Sequence, residues 1–142
     1  MQRKALLTIT GSQDYNGDKD KIEMKTVGTI EHKDDSYIIR YTEALENSNA
    51  SLKSKLTIAK DESKVEMMKS GPYSSLLIIE KSKRHLCNYG TEYGDMLMGI
   101  FGKNVENHYD ENEGRFDFAY EIDVNGAVSS INDVTIKYKI TE

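Results

Sequence analysis

The chain has 142 residues, 19 basic and 24 acidic side chains, a formal charge of −5, one Pro, one Cys and no Trp. That length predicts one domain over residues 1–142, which can bury roughly two thirds of its unfolded surface without a disulfide or structural metal. The acidic balance speaks against general electrostatic binding of nucleic acid, the lone cysteine excludes an intramolecular disulfide or a Cys-rich zinc site, and no run approaches the roughly 20 apolar residues of a membrane span. After Met1 a short apolar run is broken by Thr8 and Thr10, which is too short and too polar for a signal peptide. A soluble, reduced, cytoplasmic protein is expected.

Taken in chain order, apolar residues recur at every second position, the period of a strand with one buried face. Ala5, Leu7 and Ile9 alternate with Leu6, Thr8 and Thr10, and the run ends at Gly11 and a polar loop over 14–20. Ile22, Met24, Thr26, Gly28, Ile30 and His32 share the next face, before a turn at Lys33-Asp34-Asp35-Ser36. Tyr37, Ile39 and Tyr41 alternate again, and Glu43 keeps their parity. A polar stretch over 46–51 precedes Leu52, Leu56 and Ile58; a turn at 60–64 leads to Val65 and Met67. Gly71-Pro72 marks the next break, with Pro at a strand end where no ladder donor is needed.

The middle reads as a strand over Ser75–Glu80, a turn at Ser82-Lys83 and a strand over 84–93. Met96, Met98 and Ile100 form a further face, although this segment also suits a helix, and 104–114 reads as a loop or frayed strand end. From Arg115 the pattern is unbroken: Phe116, Phe118, Tyr120, Ile122 and Val124 alternate with polar or small residues. Asn125-Gly126 is a strong hairpin signal because both positions tolerate positive φ. Val134, Ile136, Tyr138 and Ile140 complete the pair. Phe116, Phe118, Tyr120, Ile122, Ile136, Tyr138 and Ile140 are therefore predicted to face the core together, since a one-residue slip would expose them all.

About ten short strands with tight turns predict an all-β fold, sandwich or barrel. Consecutive hairpins favour an antiparallel up-and-down meander closed into a barrel of about eight to ten strands, because closure removes exposed edges. An interior of that size is filled by side chains or holds one small ligand. The lining is apolar near the C-terminus and mixed with hydroxyls and charges in the middle, as a ligand pocket requires.

A resemblance supports the barrel. Tyr89-Gly90-Thr91-Glu92-Tyr93-Gly94 resembles the Tyr-x-Thr-x-Tyr-Gly signature of the YwiB-like family, small uncharacterised bacterial proteins of calycin-like β-barrel fold. Thr26-Val27-Gly28-Thr29, Tyr41-Thr42-Glu43 and Phe118-Ala119-Tyr120-Glu121-Ile122 fit it in order along nearly the whole chain. The resemblance implies a lipocalin-like barrel and implies no activity.

Cys87 and His85 share a strand face, and a touching Cys–His pair can activate a thiolate. Their strand spacing of roughly 6–7 Å is awkward for that contact, and a small inert buried thiol is the competing reading. His32, His85 and His108 are isolated, and residues 14–20 lack the ligand spacing of a calcium loop, so a solvated turn is expected and no metal or cofactor is called for. Glu43 points wherever Tyr37, Ile39 and Tyr41 point. An inward carboxylate must be paired, protonated or wet, so Glu43 is a strand-end group at the mouth, a ligand contact or the partner of a buried cation. Tyr89, Thr91 and Tyr93 share another face, as packing rings or as a polar pocket wall. Lys53, Lys55, Lys60, Lys64 and Lys69 form a modest basic face if their strands are adjacent.

The leading expectation is a non-enzymatic calycin-like barrel that binds a small molecule, through Tyr41, Glu43, His85, Tyr89, Thr91 and Tyr93, or serves in a cellular process that no motif reveals. The alternatives are a barrel enzyme using Glu43, His85 and the tyrosines as acid–base groups, and a protein-interaction module. Neither nucleic acid nor membrane is an expected partner, and no residue pattern speaks for an oligomeric state.

Overall fold

The period-two pattern is realised as ten antiparallel strands in a computed structural model that describes residues 2–15, 17–44, 49–91 and 93–141. They are β1 (Gln2–Tyr15), β2 (Asp18–His32), β3 (Ser36–Ala44), β4 (Ser51–Ala59), β5 (Lys64–Ser70), β6 (Ser75–Glu80), β7 (Arg84–Thr91), β8 (Gly94–His108), β9 (Glu113–Val124) and β10 (Ala127–Ile140). Each pairs with its sequence neighbours, and β1 closes the barrel on β10 from Ala5↔Ile140 to Asp14↔Ile131. No helix among the described residues is long and apolar enough to cross a membrane.

The predicted inner face of the C-terminal hairpin is inside. Phe116, Phe118, Tyr120, Ile136 and Tyr138 are buried, and Ile122 and Ile140 pack against them, whereas Val124 at the strand end is exposed. Asn125 and Gly126 both take positive φ, 53° and 86°, and connect Val124↔Ala127 as the dipeptide demands. Ala5, Leu7, Ile30, Ile39, Leu56, Ile58, Val65, Leu77, Ile79, Met98 and Ile100 complete the core.

Three expectations change. The loop predicted over 14–20 is the tip of a long hairpin: β1 continues to Tyr15 and β2 begins at Asp18, with Asp14 Oδ1 accepting the Gly17 N–H at 2.8 Å. Ile22 therefore lies on the predicted inner face yet is 72% exposed, because the hairpin runs past the core. The frayed end predicted over 104–114 is ordered strand as far as His108. A bulge between Gly102 and Asn104 adds one residue and exchanges odd for even, so Val105 is buried beside Phe118. Finally, the strand expected over 84–93 ends at Thr91, where the chain turns through Gly94 at φ 116°. Glu92 of the signature, Asn16 of the hairpin tip, and residues 45–48, which include the start of the polar stretch, lie outside the described residues.

The two barrel ends differ. At one end five rings close the core: Tyr37 stacks on Tyr109 at 4.6 Å and on His32 at 5.2 Å, and Phe116 stacks on Tyr138 at 5.6 Å. The Tyr138 hydroxyl donates to the Asp110 carbonyl at 2.7 Å and accepts from the Asp110 N–H at 2.9 Å, pinning the loop after β8 across this end. At the other end β2 leaves β3. Their ladder runs only from His32↔Tyr37 to Thr29↔Arg40, and from there β2 continues on β1 alone to Asp18. That departure opens the mouth.

Candidate functional site

A cavity of about 430 Å³ occupies the open end, within the size range of small-ligand sites. Its wall is built by strand parity. Tyr41 and Glu43 extend the inner face of β3, Met67 and Lys69 that of β5, and Asn132 and Val134 that of β10, with Tyr120 from β9 and Ile9 and Met24 from the long hairpin. The apolar part continues the core, while the polar groups gather where the wall meets solvent.

Glu43 meets a cation there. Its Oε2 lies 3.4 Å from Lys69 Nζ, and the two side chains are 33% and 32% exposed. The register explains the meeting: Tyr41 pairs with Ser54, and Ser54 with Lys69, so residues 26 apart in sequence face each other across β4. Burial pulls the Lys69 ammonium down, but Glu43 and Tyr41 outweigh it and hold its pKa above that of a free lysine. Burial raises the phenols of Tyr41 and Tyr120, the latter to about 12. Both hydroxyls therefore stay protonated at neutral pH and are available as hydrogen-bond donors. Asn132 is buried and donates to Ser130 Oγ at 3.1 Å. The mouth thus offers a half-buried carboxylate–ammonium pair, two neutral phenols and a carboxamide above an apolar floor. That set can orient a small molecule with one apolar and one polar end.

The six predicted residues do not form one group. Tyr41 and Glu43 line the cavity together. Tyr89 stands at the same end, paired with Ser75 beside Lys69, and its phenol acts on both Lys69 and Tyr120. Thr91 and Tyr93 belong with Tyr89 and Gly94 to a separate rim groove. Thr91 Oγ1 donates to the Gly94 carbonyl at 2.7 Å and accepts from the Tyr93 N–H at 3.1 Å, a local tie within the turn. Tyr93 is 91% exposed, so the face shared by Tyr89 and Thr91 does not reach it. Strand parity cannot be extended through a turn.

His85 lies toward the opposite end of β7, where its Nε2 sits 2.8 Å from Glu80 Oε1; hydrogen bonds from His85 and Lys83 lower the Glu80 carboxyl. It is not gathered with Glu43. It does not activate Cys87 either. That thiol is buried, accepts the Ile78 N–H at 3.3 Å and is pushed up by burial, as an inert core cysteine would be.

Lys69, Asn132 and Tyr120 line the site without having been singled out as site residues, and buried Ser130 accepts the Asn132 hydrogen bond behind it. Parity was the available signal: each extends an inner apolar face, and an inward Lys, Asn or Ser is costly without a partner. On the outer face, Glu106, His108 and Asp117 bring possible ligand atoms within 4.8 Å of one another. Asp117 is already held by Arg115 at 2.8 Å and Thr135 at 2.7 Å, which makes the group a surface ion-pair network.

Residues 7–136 match the family described as "Domain of unknown function (DUF1934)". The fold is similar to that in the crystal structure of the ywiB protein from Bacillus subtilis, with a TM-score of 0.85 and 19% identity over 99% of this chain and 94% of that one. No curated protein matches.

Proposed function

For a chain that belongs to the DUF1934 family, a YwiB-like domain of unknown function, we propose binding of a small organic molecule in the barrel mouth as the function. One observation carries the reading. The Glu43–Lys69 pair is held half-buried on the wall of a cavity at the open end of a barrel whose other end is closed by stacked rings. Packing alone does not call for it, since apolar residues would fill the same wall without desolvating two charges. The ligand enters with its apolar body toward Ile9, Met24 and Met67 and its polar end at Glu43, Lys69 and Tyr41. In this reading residues 1–142 act as one calycin-like domain in the cytoplasm, a setting that suits a single cysteine.

Native mass spectrometry of the protein purified from its own host tests this. The expected result is a small-molecule adduct that is lost on denaturation and absent from Glu43→Gln, whose fold is retained. The bare chain mass alone, or an adduct retained equally by Glu43→Gln, would overturn the assignment.

A further inference from the structure

On the outer side of the seam where β2 leaves β3 lies a second groove of about 460 Å³, bordered by Val27 to Thr29, Arg40 to Thr42, Lys53 to Lys55, Met68 and Ser70. We propose that it binds a small organic phosphate. Its charge pattern is the first support. Arg40, Lys53 and Lys55 line it and, among the described residues, no carboxylate does, in a chain whose formal charge is −5. Arg40 and Lys55 are direct cross-strand partners, an arrangement that destabilises a sheet unless an anion offsets it. Glu31 takes Arg40 at 3.2 Å and is shared with Lys33 at 4.0 Å. Neither Lys53 nor Lys55 has an acidic partner among the described residues.

The second support is a set of hydroxyls on the same outer face. Register aligns Thr29, Arg40, Lys55 and Met68 in one row across the strands and Thr42, Lys53 and Ser70 in the next, so the three hydroxyls share the face of the three cations. Ser54 also borders the groove, but it pairs with Tyr41 and Lys69 and shares their inward parity. Three cations with several neutral donors match an anion carrying three or more oxygens, and phosphate accepts from all of them at once. Val27 and Met68, both exposed, supply apolar surface beside the charges. The groove therefore suits a phosphate ester with an apolar substituent rather than the bare ion. Tyr41 borders both this groove and the mouth, but the cations here belong to the outer faces of β3 and β4, so the two sites are separate.

Titration of the whole chain with phenyl phosphate, followed by amide NMR, tests the assignment. Saturable shifts are expected at Thr29, Thr42 and Ser70 with a Kd at or below about 1 mM, and the Lys53→Ala/Lys55→Ala double variant should weaken it at least about tenfold. Its urea midpoint should be no lower than the parent's, because two like charges are removed from one face. Inorganic phosphate should bind the same residues more weakly, phenol should not bind there, and Glu43→Gln should leave the affinity unchanged. An unaltered Kd in the double variant, equal binding of phenol, or a Kd moved by Glu43→Gln would overturn the proposal. Tighter binding of a single-stranded oligonucleotide than of phenyl phosphate would overturn its small-molecule assignment.

Discussion

Glu43→Gln and Lys69→Met, made singly and together, measure what the mouth pair contributes. At the 3.4 Å separation seen here, two unit charges attract by about 1 kcal/mol in a water-like medium and about 5 kcal/mol at an effective dielectric of 20. About a third of each side chain remains in solvent, and ordering both side chains consumes part of the attraction, so a coupling of about 1 kcal/mol is expected at low salt. Each single variant should be the more costly change, because it leaves one half-buried charge alone, and the double variant should recover about the coupling energy. Urea unfolding of the four proteins gives the cycle directly. Raising salt to about 1 M, where screening reaches only about 3 Å, should reduce the coupling. The pH dependence follows from the raised Lys69 pKa. The folded state holds this proton more tightly than the unfolded state, so the contribution is complete below the ordinary lysine value of 10.5 and is lost as pH rises through the folded value. A coupling of zero at low salt, or one indifferent to salt, would refute the reasoning.

Burial lifts Tyr120 and Tyr138 to about 12, against 10.0 for free tyrosine. The unfolded chain therefore sheds those protons first, and stability should fall as pH rises from about 10 to about 12, by about 1.4 kcal/mol per pH unit from Tyr120 alone. Urea midpoints of the parent and Tyr120→Phe should diverge only in that window, with the variant less sensitive. Deletion of Lys103, the extra residue of the β8 bulge, should give a cooperatively folding protein, because Gly102 and Val105 keep their inward positions and only the surface pair with Glu121 is lost. Deletion of Glu106 should be far more damaging. It turns Tyr109 outward and breaks its stack on Tyr37, a difference near-ultraviolet circular dichroism and thermal unfolding will both register.

Much of this barrel is legible residue by residue, because strand parity is a property of the pleat and needs no knowledge of neighbours. Phe116 to Tyr120 and Ile136 to Tyr138 declare their inner face in the linear pattern, Asn125-Gly126 declares the turn, and Glu43 is placed inward by Tyr37, Ile39 and Tyr41. Parity failed where the backbone interrupts it. The extra residue at the β8 bulge hid the strand beyond Asn104, and the turn at Gly94 carried Tyr93 out of the face shared by Tyr89 and Thr91. What a face meets across the sheet belongs to tertiary structure alone. Lys69 reaches Glu43 because β4 sets the register between β3 and β5, and Arg40 stands beside Lys55 for the same reason. The seam opens because β2 outlasts its ladder with β3 while continuing on β1. Local periodicity decides which way each side chain points; long-range register and strand closure decide which side chains come together, and both candidate sites are made of such meetings.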